Sequence, residues 1–393
     1  MSIGNAMKSD KRNDLNNIIK PFFDLNFFFL IIIIILFGLL ALTTSSIELS
    51  TQKYNQPFYY LYRQIGHLFF SIILSSFLLY FFTTENLKKN YKPLLYISFL
   101  LLILVEFFGK TAGGSTRWLS FAFLNIQPSE IFKVLYIVWL CAYLDFNKNN
   151  MKKLEYFFIP IICCIFAAFL LYRQPDFGST AIIFTMTLIL LFIAKVKTIH
   201  LIILGFFGVL SGFMLVHLKP YMLSRFNIFE PCQNYFSSGL DSGYHLCYSL
   251  MAIGSGGIFG KGLGASTSKL FFLPAAHTDF IFAILAEELG IFGIIFLVIL
   301  FYFFLKKCFF IGNKAIRVGL VFQGYLAYGI GTFISMQAFL NMAVNLGIAP
   351  TKGLSLPLFS YGGSNYLASI ISIAIIFRIY RDVYKQSINS SIR

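Results

Sequence analysis

The chain has 393 residues, of which 58% are hydrophobic and 12% are charged, and its mean hydropathy is +0.77. Soluble domains typically contain about 25% charged residues, so this composition excludes them and indicates a polytopic membrane protein. The formal net charge of +15 is explained by membrane topology and by attraction to anionic lipid headgroups. It therefore gives no reason to expect a nucleic-acid partner.

Ten apolar segments are long enough to be candidate membrane spans, because a bilayer core about 30 Å thick requires about 20 helical residues. The first segment is longer than the apolar core of a signal peptide and is followed by no small-residue cleavage site, so we expect it to remain in the mature protein. The spans are predicted near 22–44, 59–82, 94–109, 127–146, 154–172, 177–194, 198–217, 279–305, 317–342 and 362–380.

Lysine and arginine positions predict the orientation, since short cytoplasmic loops collect positive charge. With the N-terminus inside, 20 of the 31 basic residues fall on the cytoplasmic side. The predicted fold is an all-α polytopic membrane protein with ten transmembrane helices, both termini cytoplasmic, and a large extracytoplasmic loop between spans 7 and 8. Its parts are a cytoplasmic N-terminal tail (1–21), a membrane domain (22–380) that includes the loop (218–278), and a cytoplasmic C-terminal tail (381–393).

Cysteine chemistry does not define a framework, because most of the six cysteines fall in predicted helices or face the cytoplasm. Only Cys232 and Cys247 share the outer loop, where a disulfide is chemically allowed, and their spacing does not decide whether they pair. The sequence contains no metal-ligand cluster, Walker loop, Rossmann fingerprint or Gly-x-Ser-x-Gly elbow.

Dense polar stretches lie on the predicted outer side, whereas the inner loops are short and basic. Long loops with an ordered composition are often functional, so we expect any chemistry to face outward. The outer stretches are GKTAGGSTRWLSFAFLNIQPSEIFK (109–133), YRQPDFGST (172–180), the loop at 219–278, and NLGIAPTKGLSLPLFSYGGSN (345–365).

Ionisable residues at membrane depth are costly and are usually paired or functional. Glu130 and Lys133 are one helical turn apart, which suits a structural ion pair as well as direct catalysis. Asp176 follows Pro175 and could cap the next helix or contact a substrate.

The segment LPAAHTDFIFAILAEELG (273–290) is the richest in polar groups at the start of a predicted span. Eight residues at about 1.5 Å each place Glu287 about 12 Å deeper than Asp279 on nearly the same face. Asp279 at the water-facing mouth can stay ionised and accept a proton, whereas Glu287 and Glu288 suit a buried network or a proton relay. His277 could bind an anion or cap the loop.

Five ordered motifs carry a resemblance to a known family, the SEDS proteins (shape, elongation, division and sporulation), which are ten-span bacterial peptidoglycan glycosyltransferases. The resemblance covers essentially the whole chain after residue 20. The Thr-Lys-Gly at 351–353 is more similar to the division branch of the family than to its elongation branch. The motifs are TRWLSFAFLNIQPSEIFK, RQPDFGST, GSGGIFGKGLG, KLFFLPAAHTDFIFAILAEELG and PTKGLSLPLFSYGGSNY.

The resemblance implies polymerisation of undecaprenyl-linked lipid II into β-1,4-linked glycan strands outside the membrane, with Asp279 as the catalytic residue. A carboxylate there could take the proton of the acceptor 4-hydroxyl as that oxygen attacks and inverts the donor anomeric carbon. One carboxylate is enough, because pyrophosphate leaves without protonation. The family also gives weight to Trp118, Glu130 and Lys133.

The departing pyrophosphate needs positive charge on the outer side. A divalent cation, Mg or Mn, could contribute, although no residue cluster specifies one, and no other cofactor is expected. An aromatic such as Trp118 could form a sugar or lipid platform or anchor the chain at the membrane interface. The candidate substrate-binding residues are Arg117, Trp118, Arg173, Arg225, Lys261, Lys269, His277 and Lys352.

Partners and location follow from the resemblance alone. It implies a class B penicillin-binding protein, a transpeptidase with one span, as partner, together with other division proteins and membrane lipids. It also implies a location in the bacterial cytoplasmic (inner) membrane at the division septum.

Two other classes of function remain open at this point. A lipid II transporter would use the deep acids Glu130, Glu287 and Glu288 in an alternating cavity; against it, the sequence shows no inverted repeat and its polar residues are biased to one side. A non-enzymatic division scaffold would recruit the transpeptidase through its helices and loops. Within the family, an elongation enzyme is the alternative.

Overall fold

The computed structural model of the protein describes residues 24–112, 115–121, 124–151, 153–218, 244–270, 273, 275–349 and 353–392. Its helices are α1 (Leu25–Tyr54), α2 (Tyr59–Phe81), α3 (Thr84–Lys89), α4 (Tyr91–Phe108), α5 (Pro128–Phe146), α6 (Leu154–Arg173), α7 (Phe177–Ile193), α8 (Thr198–Leu218), α9 (Tyr244–Gly256), α10 (Ile281–Arg317), α11 (Val321–Asn345) and α12 (Gly363–Ile392). Each of the ten apolar segments predicted from the sequence coincides with one of these helices.

Among the described residues, five helices are long and apolar enough to cross a membrane: α1, α2, α4, α6 and α10. These helices expose large apolar side chains, such as Leu36 on α1 and Phe69 on α2. In a bilayer such side chains face lipid, where apolar exposure has no hydrophobic cost. The protein is therefore an integral membrane protein with several apolar helices, whereas ten crossings remain a prediction.

Two helices form the inside of the bundle. Most side chains of α5 and α11 are buried, and α11 packs against α5, α7 and α10. Because other helices surround them, α5 and α11 can carry polar groups that would be costly against lipid. The polar side chains near one end of these two helices become part of the candidate site.

Helix α10 is broken at Gly290, where φ is 63° and ψ is −156°. Only glycine adopts this backbone conformation readily. A Cβ at this position would also lie 2.5 Å from the Gly260 nitrogen and the Ile258 carbonyl oxygen. The break frees the backbone carbonyls of Glu287 and Glu288 from the helix. The backbone N–H groups of Lys261 and Gly262 donate to these two carbonyls, each at 3.0 Å. The straight span predicted at 279–305 is therefore two helical segments.

A small antiparallel sheet departs from the all-α prediction. Its strands are β1 (Lys110–Ala112), β2 (Ser115–Phe121) and β3 (Leu124–Ile126), in the order β1-β2-β3. The register pairs Lys110 with Trp118 and Leu119 with Ile126. The sheet follows α4 and leads into α5, so it lies at the same end of the bundle as the start of α5.

Helices also occur in two segments that the sequence assigned to a loop and to a tail. Helix α9 begins at Tyr244 within the segment predicted as an extracytoplasmic loop, and α12 continues to Ile392 through the segment predicted as a C-terminal tail. Cys247 on α9 is disulfide-bonded. Cys232 lies outside the described residues.

Candidate active site

Asp279 lies in the turn that precedes α10. Its backbone N–H donates to the Ala275 carbonyl at 3.1 Å. Its own carbonyl accepts from the side-chain amides of Asn341 at 2.9 Å and Asn345 at 3.1 Å, both on α11. Because helix α11 holds the backbone on one side, the carboxylate is positioned by a rigid element.

A second segment, 353–361, holds the same turn from another side. The Ser360 hydroxyl donates to the Thr278 carbonyl and accepts from the Leu356 N–H, the latter at 2.7 Å. The Tyr361 N–H donates to the His277 carbonyl at 3.0 Å. Three consecutive carbonyls, of residues 277 to 279, are therefore bound to α11 or to this segment.

The Arg117 side chain, on β2, lies near the Asp279 carboxylate. Its Nε donates to the Gln174 carbonyl at 3.3 Å, and its Nη2 donates to the Pro175 carbonyl. A Cβ built on Gly353 would lie 3.1 Å from the Asp279 Oδ2 atom and 3.6 Å from the Arg117 Nη1 atom. Gly353 therefore lies beside both the carboxylate and the guanidinium, and a side chain at this position would press against Asp279.

Burial raises the pKa of Asp279 from its ordinary value to about 6, and the neighbouring Arg117 opposes the rise. At pH 7 the carboxylate is mostly ionised but is a stronger base than an ordinary aspartate. A general base works best when its pKa lies near the operating pH. The environment of Asp279 meets that condition.

His277 occupies an aromatic cluster. Its ring centroid lies 4.8 Å from that of Tyr60 on α2 and 6.0 Å from that of Tyr361. Burial and the nearby Lys53 lower the pKa of His277 to about 4. The imidazole is therefore neutral at physiological pH, and it does not attract an anion by charge.

Three of the cations proposed for the pyrophosphate are paired with carboxylates. Lys261 Nζ lies 2.6 Å from Glu287, Lys269 Nζ lies 3.1 Å from Glu288, and Arg173 Nη2 lies 2.6 Å from Glu106. Arg225 and Lys352 lie outside the described residues. Among the candidate cations that the structure describes, Arg117 is the one beside Asp279.

Glu287 holds the loop that follows α9. Its carboxylate is fully buried and accepts from Lys261, from the Ser266 and Thr267 hydroxyls, and from the Thr267 and Ser268 N–H groups. The predicted helical relation to Asp279 was wrong in one respect, because α10 begins at Ile281 and Asp279 lies in the turn before it. The two acids therefore belong to separate networks.

A buried polar chain links α5 to the segment beside Asp279. Lys133 is fully buried and donates to Glu130 at 2.8 Å and to Gln337 Oε1 at 2.9 Å. Gln337 Nε2 donates in turn to the Ser355 carbonyl at 3.2 Å. This series of hydrogen bonds holds segment 353–361 from inside the bundle. Elsewhere, the Asp176 carboxylate caps α7 by accepting from the Ser179 N–H and hydroxyl.

The side-chain amides of α11 belong to the site but are not among the residues predicted from the sequence. Gln337, Asn341 and Asn345 follow one another at intervals of four residues, which places them along one face of the helix. An apolar segment with three amides at that spacing is a detectable signal. Ser360 is a single serine with no periodic spacing to other polar residues, so its role could not be predicted in this way.

Metal ligands are not grouped in the described part of the chain: it holds no cluster of three or more His, Cys, Asp or Glu side chains suited to an ion. Asp279 contributes one carboxylate beside a guanidinium, which is a poor donor set for a divalent cation. Trp118 is partly exposed on β2, opposite Lys110.

Among the described residues, several apolar helices long enough to cross a membrane define this chain as a multi-pass membrane protein. A family model described as "cell cycle protein", which covers the FtsW, RodA and SpoVE proteins, matches residues 24–385. The chain belongs to that family.

Curated relatives agree with the family match. The chain is 39% identical to a protein named "Probable peptidoglycan glycosyltransferase FtsW" from Thioalkalivibrio sulfidiphilus, over 88% of this chain and 86% of the relative. It is 38% identical to a protein of the same name from Wigglesworthia glossinidia brevipalpis, over 93% and 96%. These identities are higher than those to the solved structures.

Solved structures show the same fold. One similar chain comes from a structure described as showing "structural coordination of polymerization and crosslinking by a peptidoglycan synthase complex", with a TM-score of 0.73 and 26% identity over 92% of this chain and 99% of that one. The rod shape determining protein RodA of Thermus thermophilus matches with a TM-score of 0.67 and 26% identity, over 92% and 98%.

Proposed function

We propose that this chain is a peptidoglycan glycosyltransferase that polymerises lipid II into β-1,4-linked glycan strands on the outer face of the cytoplasmic membrane. The names of the curated relatives support the activity. The observation that carries the proposal within this chain is the Asp279 carboxylate, with a pKa of about 6, held beside Arg117 on a turn fixed from two sides.

Asp279 acts as the general base in this proposal. Its carboxylate takes the proton of the acceptor sugar 4-hydroxyl while that oxygen forms a bond to the donor anomeric carbon. The bond from the anomeric carbon to the pyrophosphate oxygen breaks, and the configuration inverts. The lipid-linked pyrophosphate leaves as an anion, so the reaction needs no second carboxylic acid.

Arg117 has two effects on this reaction. Its charge lowers the pKa of Asp279 and so favours the ionised carboxylate, and a cation beside that carboxylate stabilises the departing negative charge. Arg225 and Lys352 remain proposed pyrophosphate ligands from the sequence. No step is assigned to a divalent cation, because the donor atoms that the described residues place beside Asp279 do not suit one.

A division role is proposed because the relatives at 38–39% identity are named FtsW, and the Thr-Lys-Gly at 351–353 agrees with them. On the same basis we propose the inner membrane at the septum as its location. A fluorescent fusion of the chain should concentrate at mid-cell, and depletion should give filaments. Round cells on depletion would assign it to elongation instead.

A crosslinking partner is proposed as well. One structural neighbour belongs to a complex that combines polymerization and crosslinking, which supports a class B penicillin-binding protein as the partner of this chain. Lipid II polymerisation by the purified chain should rise when its cognate transpeptidase is added.

Proteoliposomes that contain labelled lipid II separate an enzyme from a transporter or a scaffold. The wild-type chain with its transpeptidase should form glycan polymer, and Asp279→Ala should form none while still binding the transpeptidase. Glu48→Gln is the matched control, because it removes an exposed carboxylate from the predicted outer end of α1. Lipid II flipping without polymer by the wild type would contradict the proposal, as would polymer from Asp279→Ala.

A further inference from the structure

A second cavity lies between the ends of four elements far from Asp279. It encloses about 440 Å³ and is lined by the loop after α5, the end of α7, the end of α10 and the first turns of α11. Helix α7 begins at the Pro175 turn that Arg117 contacts and runs for 17 residues. At about 1.5 Å per residue, the cavity lies about 25 Å along α7 from the Pro175 turn.

The cavity combines a cationic rim with apolar walls. Lys148 and Lys195 line it, and both are exposed, with no ion pair to any carboxylate that the structure describes. Met151, which is buried, and Ile316 and Val321 supply apolar surface. Two ammonium groups above an apolar floor fit a ligand that is anionic at one end and apolar at the other.

A neighbouring acid does not cancel this charge. The Asp145 carboxylate lies near Tyr325, which lines the cavity, but it forms an ion pair with Lys88. The net charge at the rim therefore remains positive. Tyr325 also contributes a phenol that is only partly buried and can donate a hydrogen bond to an anionic oxygen.

The cavity is also next to the lipid-facing surface. Ile316 is 36% exposed while it lines the cavity, and Phe192 at the end of α7 is 63% exposed. On the predicted topology this end of the helices faces the cytoplasm. Basic pockets between membrane helices on that side bind the headgroups of anionic lipids, and 440 Å³ lies within the range of about 300–1,000 Å³ usual for small-ligand sites.

We propose that this cavity binds the phosphodiester headgroup of an anionic membrane phospholipid, with Lys148 and Lys195 on the phosphate and the first methylenes against Met151, Ile316 and Val321. The proposal uses the predicted orientation but does not depend on the glycosyltransferase activity. A lipid bound there would hold the loop after α5 to the ends of α7, α10 and α11.

The test is retention of phosphatidylglycerol, against phosphatidylcholine, by the purified full-length protein in native mass spectrometry. Loss of the two ammonium contacts to the phosphate should weaken retention by about 30-fold in Lys148→Ser/Lys195→Ser. The matched control is Lys153→Ser/Lys197→Ser, which removes two exposed lysines from the same two loops but leaves the lining intact. It should retain phosphatidylglycerol as the wild type does.

A third variant keeps both charges and fills the space. Val321→Phe should also lose phosphatidylglycerol, because the headgroup can no longer enter. Equal losses in the two lysine pairs, or undiminished retention by Val321→Phe, would overturn the proposal. Displacement of the lipid by an excess of inorganic phosphate would overturn the lipid assignment, since a free anion would then satisfy the site.

Discussion

At the residue scale, two opposing influences set the basicity of Asp279. Burial raises its pKa to about 6, and the charge of Arg117 limits the rise. An aspartate with an ordinary pKa would be a weaker base, and burial without a cation would favour the protonated acid more strongly. Burial and Arg117 together give Asp279 a pKa close to neutral pH while leaving the carboxylate mostly ionised at pH 7.

Replacing Arg117 should shift the pH dependence of polymerisation. The base must be deprotonated, so the wild-type rate should rise with pH through about 6. Arg117→Gln removes the charge that lowers the pKa, so the rise should move to higher pH and the rate at pH 7 should fall. Initial rates of lipid II consumption across pH measure this shift. Arg173→Gln, whose arginine pairs with Glu106, should leave the position of the rise unchanged.

At the element scale, the loop that follows α9 and the break in α10 form one unit. Gly290 turns the helix sharply, the freed carbonyls bind Lys261 and Gly262, and the Glu287 carboxylate binds the residues that follow. The turn that carries Asp279 immediately precedes this part of α10. The unit therefore fixes the first segment of α10 against the outer loop.

Substitution at Gly290 should destabilise this unit. Gly290→Ala places a Cβ 2.5 Å from two backbone atoms and forces alanine into a glycine-specific conformation, which costs about 1–3 kcal/mol from the backbone alone. Thermal unfolding of the purified protein should show a lower Tm. Gly254→Ala on α9 is the control, because its Cβ would meet no atom within 4 Å. An equal Tm for both variants would contradict the argument.

Glu287 and Glu288 should differ although they are adjacent. Glu287→Gln loses an ion pair and places amide hydrogens among donors, so hydrogen exchange in residues 261–268 should become faster. Among the described residues, the Glu288 carboxylate accepts a hydrogen bond from Lys269 alone. Glu288→Gln should therefore accelerate exchange in residues 261–268 less than Glu287→Gln does. Faster exchange in Glu288→Gln than in Glu287→Gln would show that the loop is held differently.

The helices were predicted well from the sequence. A long apolar run such as that of α1 must satisfy its backbone hydrogen bonds within the bilayer, and a helix does so. It did not predict the break at Gly290, since a glycine inside an apolar run is common in membrane helices. The pairing of Lys261 with Glu287 was also missed, because the two residues are 26 positions apart. The short strands around Arg117 were also missed, although the Gly-Gly dipeptide at 113–114 is typical of a two-residue hairpin turn.

Across the whole molecule, the residues of the candidate site lie at one end of the bundle. The buried chain from Glu130 through Lys133 and Gln337 reaches the segment beside Asp279. The opposite end has basic loops and the second cavity. This asymmetry suits a protein that performs chemistry on one side of the membrane and is anchored by charge on the other.

The predicted orientation can be tested with single introduced cysteines. Lys53→Cys lies at the predicted outer end of α1, and Lys153→Cys lies in a predicted cytoplasmic loop; both native side chains are exposed. A membrane-impermeant maleimide should label the first in intact spheroplasts and the second only after lysis, relative to the unsubstituted chain. Labelling of both from outside would contradict the topology.

The most direct test of the account is the rate of lipid II polymerisation by Asp279→Asn, measured with the cognate transpeptidase over a range of pH. The amide keeps the shape of the side chain but cannot accept the proton, so the rate should fall by about 10²- to 10⁴-fold. The rise through pH 6 should also disappear. A variant that polymerises at the wild-type rate, with the same pH dependence, would show that Asp279 is not the base.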